Sequence, residues 1–147
     1  KWRFYDKENI GMAIKPGILL PTGDAERGLG TGHVGYTTFL IWTVETEPWA
    51  FDANLGYLYL ENRLEERVNL WFASLATRFA VSEQWTIAAE IGATRNADSD
   101  DSSHPIFAQV GLIYSPNDNL DLSAGFISGL KDSEIDQSIR AGATIRF

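Results

Sequence analysis

The chain has 147 residues, 12 of them Lys or Arg and 20 Asp or Glu, for a formal net charge of −8. That length fits a single domain over residues 1–147 and suffices for one core or one closed sheet. Cysteine is absent, which excludes disulfides, cysteine nucleophiles and thiolate metal sites; the acidic pI of about 4.6 argues against nucleic acid as a partner.

The sequence opens Lys1-Trp2-Arg3 without a start Met or an apolar leader, as expected of a processed or excised chain. Residues 1–5 read as the tail of a strand. From Ile10 onward the pattern has period two. Ile10, Met12, Ile14, Pro16, Ile18 and Leu20 alternate with Gly11, Ala13, Lys15, Gly17 and Leu19. The same alternation sets Val34, Tyr36, Leu40, Trp42 and Val44 against Gly35, Thr37, Phe39 and Thr43, then Trp49, Phe51, Leu55, Tyr57 and Tyr59 against Asp52, Asn54 and Gly56. It continues through residues 71–81, 85–94, 106–114, 120–127 and 138–147. These are about eight strands of roughly ten residues, the length that crosses a bilayer at barrel tilt. A mean hydropathy of −0.15 suits such strands, which alternate apolar and polar residues.

The links alternate in length. Residues 45–48, 82–84 and 115–119 are tight, whereas 22–32, 61–67, 96–105 and 131–137 are longer and more polar. Outer-membrane barrels sort their connections this way, with short periplasmic turns and long external loops. Trp42, Trp49, Trp85, Tyr114 and Phe147 sit beside short turns or at the C-terminus, each on the apolar face of its strand. They are the expected aromatic girdle, with Tyr36, Tyr57, Tyr59 and Trp71 at the opposite rim.

The other face carries Lys15, Asp52, Glu90, Asp121 and Arg140 as candidates for lining a lumen, with Arg78 and Arg146 near the short-turn rim as interface anchors. In a wide barrel such groups set the charge preference of a passage; in a narrow one they pair as an internal network. The many glycines of this face, among them Gly56, Gly92 and Gly111, fit either a hollow or a strongly curved sheet.

Three other patterns carry little chemistry. Gly30-Thr31-Gly32-His33-Val34-Gly35 satisfies G-x-G-x-x-G, but a strand follows where dinucleotide binding needs a helix. Asp98, Asp100 and Asp101 could hold calcium, yet an external loop kept soluble has the same composition. His33 and His104, the only histidines, fall on different links with no nucleophile pattern beside them. No enzyme activity, metal or cofactor is expected.

Leu20-Pro21-Thr22-Gly23-Asp24, followed by Gly28-Leu29-Gly30-Thr31-Gly32, resembles the outer-membrane transporter family named for the meta-pathway of phenol degradation. There a Pro-Thr-Gly-Asp turn and a Gly-Leu-Gly-(Thr/Ser)-Gly segment link neighbouring strands. Ala143-Thr144-Ile145-Arg146-Phe147 resembles the terminal strand of outer-membrane barrels, whose final aromatic is read by the barrel-assembly machinery. The specific similarity is confined to residues 12–45 and the last ten.

The resemblance implies an all-β, antiparallel up-and-down transmembrane β-barrel in the bacterial outer membrane, in contact with outer-membrane lipid. Family members are usually longer, so the chain is expected to be either a small eight-stranded barrel or the C-terminal part of a barrel of roughly twelve strands. Its expected function is passive transport of small molecules, aromatic or hydrophobic by resemblance. The rival readings are a non-transporting anchor or surface-binding barrel, a rim hydrolase using His33 or His104, and a soluble lipocalin-type barrel. Outward Leu40, Trp42, Ile87, Ile91, Val110 and Leu112 oppose the last.

Overall fold

The computed structural model describes residues 1–23, 27, 30–62, 66–130 and 137–146. Among them the chain forms nine strands: β1 (Trp2–Lys7), β2 (Ile10–Leu19), β3 (Gly35–Thr46), β4 (Trp49–Leu60), β5 (Asn69–Ala80), β6 (Trp85–Thr94), β7 (Ile106–Asn117), β8 (Leu120–Gly129) and β9 (Gln137–Ile145). They form one antiparallel meander in chain order, with β1 and β9 as its two edges. The sheet is therefore an up-and-down wall that is not closed on itself.

Two sequence expectations change in detail. The tail at residues 1–5 is a full strand, so the count is nine where the alternation indicated about eight. A bulge between Arg3 and Tyr5 puts Tyr5 opposite Met12 and Trp2 opposite Ile14; the extra residue breaks period two, which hides the strand. Similarly, β7 runs on to Asn117 although the pattern fades at Tyr114. Its register slips between Tyr114 and Asn117, and Pro116 lies in that irregularity, one of the few places where a strand tolerates proline.

Short turns join the strands at one rim. Glu8 and Asn9 close the first, with Glu8 at a left-handed φ of 49°. At the β5–β6 turn the Ser82 hydroxyl accepts the Gln84 and Trp85 amides, at 3.3 and 3.2 Å. At the β7–β8 turn the Asn117 side chain accepts the Asn119 amide at 3.0 Å. Such side-chain-to-backbone bonds let the chain reverse in two to four residues. The longer links, from 20 to 34, 61 to 68 and 95 to 105, all leave from the opposite rim.

Register fixes the faces. Leu40 opposes Leu55, Phe79 opposes Ile87, Ile87 opposes Leu112 and Val110 opposes Phe126, so the apolar residues of successive strands share one side. That side is open: Leu75 is 64% exposed, Val110 57% and Ile91 50%. Buried side chains are few and small, Ala13 at 3% and Ser74 at 5%. A water-soluble domain of this length would hide its large apolar groups; this sheet displays them.

Candidate functional site

The opposite, polar face brings the charged residues into rows. Asp52 of β4 accepts a 2.6 Å bond from the Thr43 hydroxyl and faces Arg78 of β5, whose Nε lies 3.3 Å from Asp52 Oδ2. Arg78 also reaches within 3.9 Å of Glu45. Glu90 accepts a hydrogen bond from the Gln109 amide. Asp121 accepts bonds from the Arg146 guanidinium and a 2.8 Å bond from the Ser115 hydroxyl. Arg78 and Arg146 thus pair with carboxylates of the same face. Arg140, opposite Gly125 on β8, makes no ion pair among the described residues. Asp52, Arg78, Glu90, Gln109 and Arg140 border a hollow of about 340 Å³, floored by Gly111, Gly125 and Gly142.

Lys15 stands apart from these rows. It is opposite Phe39 on β3, with its ammonium 5.4 Å from the ring centroid. Phe39 packs edge-on against Phe72 at 5.9 Å, and Phe72 stacks with Phe107 at 6.1 Å. The intervening strands supply Gly56, opposite both Phe39 and Phe72, and Gly92, opposite Phe107. A Cβ at Gly56 would come within 2.5 Å of the Phe39 ring, and one at Gly92 would collide with Phe107. Glycine there lets the rings lie down along the sheet. Alternation assigns these phenylalanines to the polar face but does not reveal that they touch, because contact depends on register across five strands.

The aromatic residues of the apolar face form local pairs. Trp49 stacks with Phe51 and packs on Phe79 at 4.7 Å, and Trp85 meets Tyr114 at 4.5 Å. Trp42 is four residues along β3 from Thr46, the partner of Trp49, or ~13 Å of strand, and is not drawn into these pairs. Phe147 lies outside the described residues, as do Asp24, Gly28 and Leu29. At the other rim Tyr36 opposes Tyr59 and Tyr57 opposes Trp71.

Two of the long links, 61–68 and 95–105, are tied together by Arg67, which the sequence did not single out. Its guanidinium donates to the carbonyls of Asn96, Asp98, Ser99 and Asp101. The acidic loop is turned on its own backbone: Asp98 accepts the Asp100 amide at 2.9 Å, and Asp101 accepts the Ser103 amide at 2.7 Å and its hydroxyl at 2.9 Å. Among the described residues no three potential ligands from His, Asp or Glu converge on a metal position. His104 packs edge-on against Trp71 at 5.2 Å, while His33 sits on the β2–β3 link bonded to Thr31.

An antiparallel meander with an exposed apolar face and a charge-paired polar face defines a protein of β-barrel class. The family model described as "Putative MetA-pathway of phenol degradation" matches residues 1–147, and the chain belongs to that family. No curated protein and no solved structure matches it.

Three outcomes follow from these contacts. Gly56→Ala should destabilise the sheet by about 1–3 kcal/mol through overpacking, and most of that cost should vanish in a Phe39→Ala background, read by urea unfolding. For Arg78 and Asp52, both partly exposed, a double-mutant cycle of Arg78→Gln and Asp52→Asn should give a coupling of only about 0.5–1 kcal/mol. The bonds from Ser103, then Asn96, hold the Asp101 carboxyl below its ordinary value. Because the folded value is the lower one, the ionised carboxylate favours the folded loop above the unfolded value of about 3.9. That contribution fades as pH falls through the folded value. Protection of the Ser103 amide from hydrogen exchange, corrected for intrinsic rate, should therefore drop on acidification below about pH 3.9, and Asp101→Asn should remove the dependence.

Proposed function

We propose that the nine strands form wall of an outer-membrane β-barrel through which small molecules, aromatic or hydrophobic ones included, cross passively. The observation that carries this reading is the exposed apolar face, with Leu55, Leu75, Ile87, Ile91 and Val110 at mid-strand. Covering them with lipid hydrocarbon removes the cost that water would impose. The polar face, with Asp52–Arg78, Glu90–Gln109 and Asp121–Arg146 in rows, then faces a water-filled interior. No chemical step is assigned, and the flux is set by width and by these charges. Under this reading the short-turn rim is periplasmic and the Arg67-clasped links are external. The last strand is the one the barrel-assembly machinery engages.

Substitution on the apolar face separates lipid from water as its neighbour. Leu75→Arg should cost about 2–4 kcal/mol in a vesicle-refolded protein, as a cation held near the bilayer midplane does. The measurement is urea unfolding from vesicles, with heat-dependent gel mobility as the folding control. A change within about 0.5 kcal/mol, as on a water-facing surface, would remove the membrane reading. Vesicles carrying the protein as a closed barrel, marked by heat-dependent gel mobility, should also leak arabinose faster than empty ones; equal rates in that state would remove transport and leave a non-transporting barrel.

A further inference from the structure

The geometry points to a binding site for a planar aromatic anion on the polar face, made by the rings of Phe39, Phe72 and Phe107 with the ammonium of Lys15 at one end. The site rests on the transport reading above and names the solute class that the wall would favour. Three half-buried rings in a row, Phe72 touching both Phe39 and Phe107, are the wrong surface to leave against water in a polar lining, since a contiguous apolar patch there costs free energy unless something covers it.

Their arrangement suits a flat ligand. Gly56 and Gly92 provide the space in which the rings recline on the sheet, so the strip presents a shallow apolar ledge. A planar aromatic ring placed there can stack or meet an edge, arrangements worth more than area burial alone.

The charge of the occupant follows from Lys15. Its strand neighbour is Phe39, and among the described residues no carboxylate pairs with it. The carboxylates of this face lie in other rows, where Asp52, Glu90 and Asp121 already have donors. An ammonium without a counter-ion beside an aromatic strip is complementary to an aromatic ring bearing a carboxylate. The contact with the Phe39 ring keeps the cation over the face of that ring when no ligand is bound.

The test uses benzoate as the probe and the full 147-residue chain refolded in lipid nanodiscs at neutral pH, with binding followed by saturation-transfer NMR. Saturable binding is expected. Phe39→Leu/Phe72→Leu/Phe107→Leu keeps the strip apolar but removes the rings, and should weaken benzoate about tenfold. Lys15→Gln should weaken benzoate about fivefold while leaving phenol nearly unchanged. Each variant must retain the heat-dependent gel mobility of the parent; if the triple variant does not fold, Phe72→Leu alone, expected to weaken benzoate by about threefold, decides. Benzoate bound equally well by parent and folded variants, or not bound by the parent at all, overturns the site. Arabinose leakage reads the transport proposal separately: leakage without benzoate binding removes the strip and keeps transport, while binding without leakage does the reverse.

Discussion

Every rung of this sheet joins an apolar-face residue to another of its kind, and a polar-face residue likewise, from the Met12–Trp42 rung to the Phe126–Ile139 rung. That continuity of register is the constraint on which the rest depends. A slip of one residue between any two strands would turn Leu75, Ile91 or Val110 onto the charged side and strip Asp52 of Arg78. The turns guard against slippage, since Ser82 and Asn117 lock short reversals with their own side chains, and so does the breadth of the apolar face, because each strand has something to lose.

With the faces set, the polar side divides along the strands. Nearer the long links lies the strip of Phe39, Phe72 and Phe107; then come the Asn54–Ser74 pair, the Asp52 and Glu90 row, and finally Arg78, Arg140 and the Asp121–Arg146 pair toward the short turns. Ser74, one of the few deeply buried side chains, accepts from Asn54 at 3.2 Å, so the transition from rings to charges is made without leaving that hydroxyl unsatisfied. Most ion pairs here remain partly exposed. Their individual contributions to stability are small, and their larger effect is on the electrostatic character of the surface.

The faces were legible in the sequence because side chains of a regular strand alternate, so Trp49, Phe51 and Leu55 could be set against Asp52 and Asn54 before any partner strand was known. The alternation of short and long links was legible for a related reason, since turn chemistry is local. What remained hidden depends on distant neighbours or on broken periodicity. Arg78 finds Asp52 across 26 positions and Arg146 finds Asp121 across 25. The phenylalanine strip needs Gly56 and Gly92 in register. β1 was legible only as the tail of a strand, because its bulge breaks period two and Asp6 and Lys7 follow its aromatic residues. Arg67 acts through backbone carbonyls of another link, which no residue pattern encodes.

The strand count constrains how such a wall can be completed. In an antiparallel meander the odd-numbered strands run the same way, so β1 and β9 point in one direction. Pairing them directly would make a parallel seam in an otherwise antiparallel sheet. An antiparallel closure instead requires an odd number of further strands between the two edges, giving the even total that bacterial outer-membrane barrels show. In a bilayer, as proposed, that demand would be strict, because unpaired amides and carbonyls along an edge have no water to bond. The edge at β1 is bulged and carries Arg3, Asp6 and Lys7, features that discourage indiscriminate pairing, whereas β9 offers Ile139, Ala141, Ala143 and Ile145 in unbroken alternation. Of the two edges, β9 is the one shaped to accept a regular antiparallel strand.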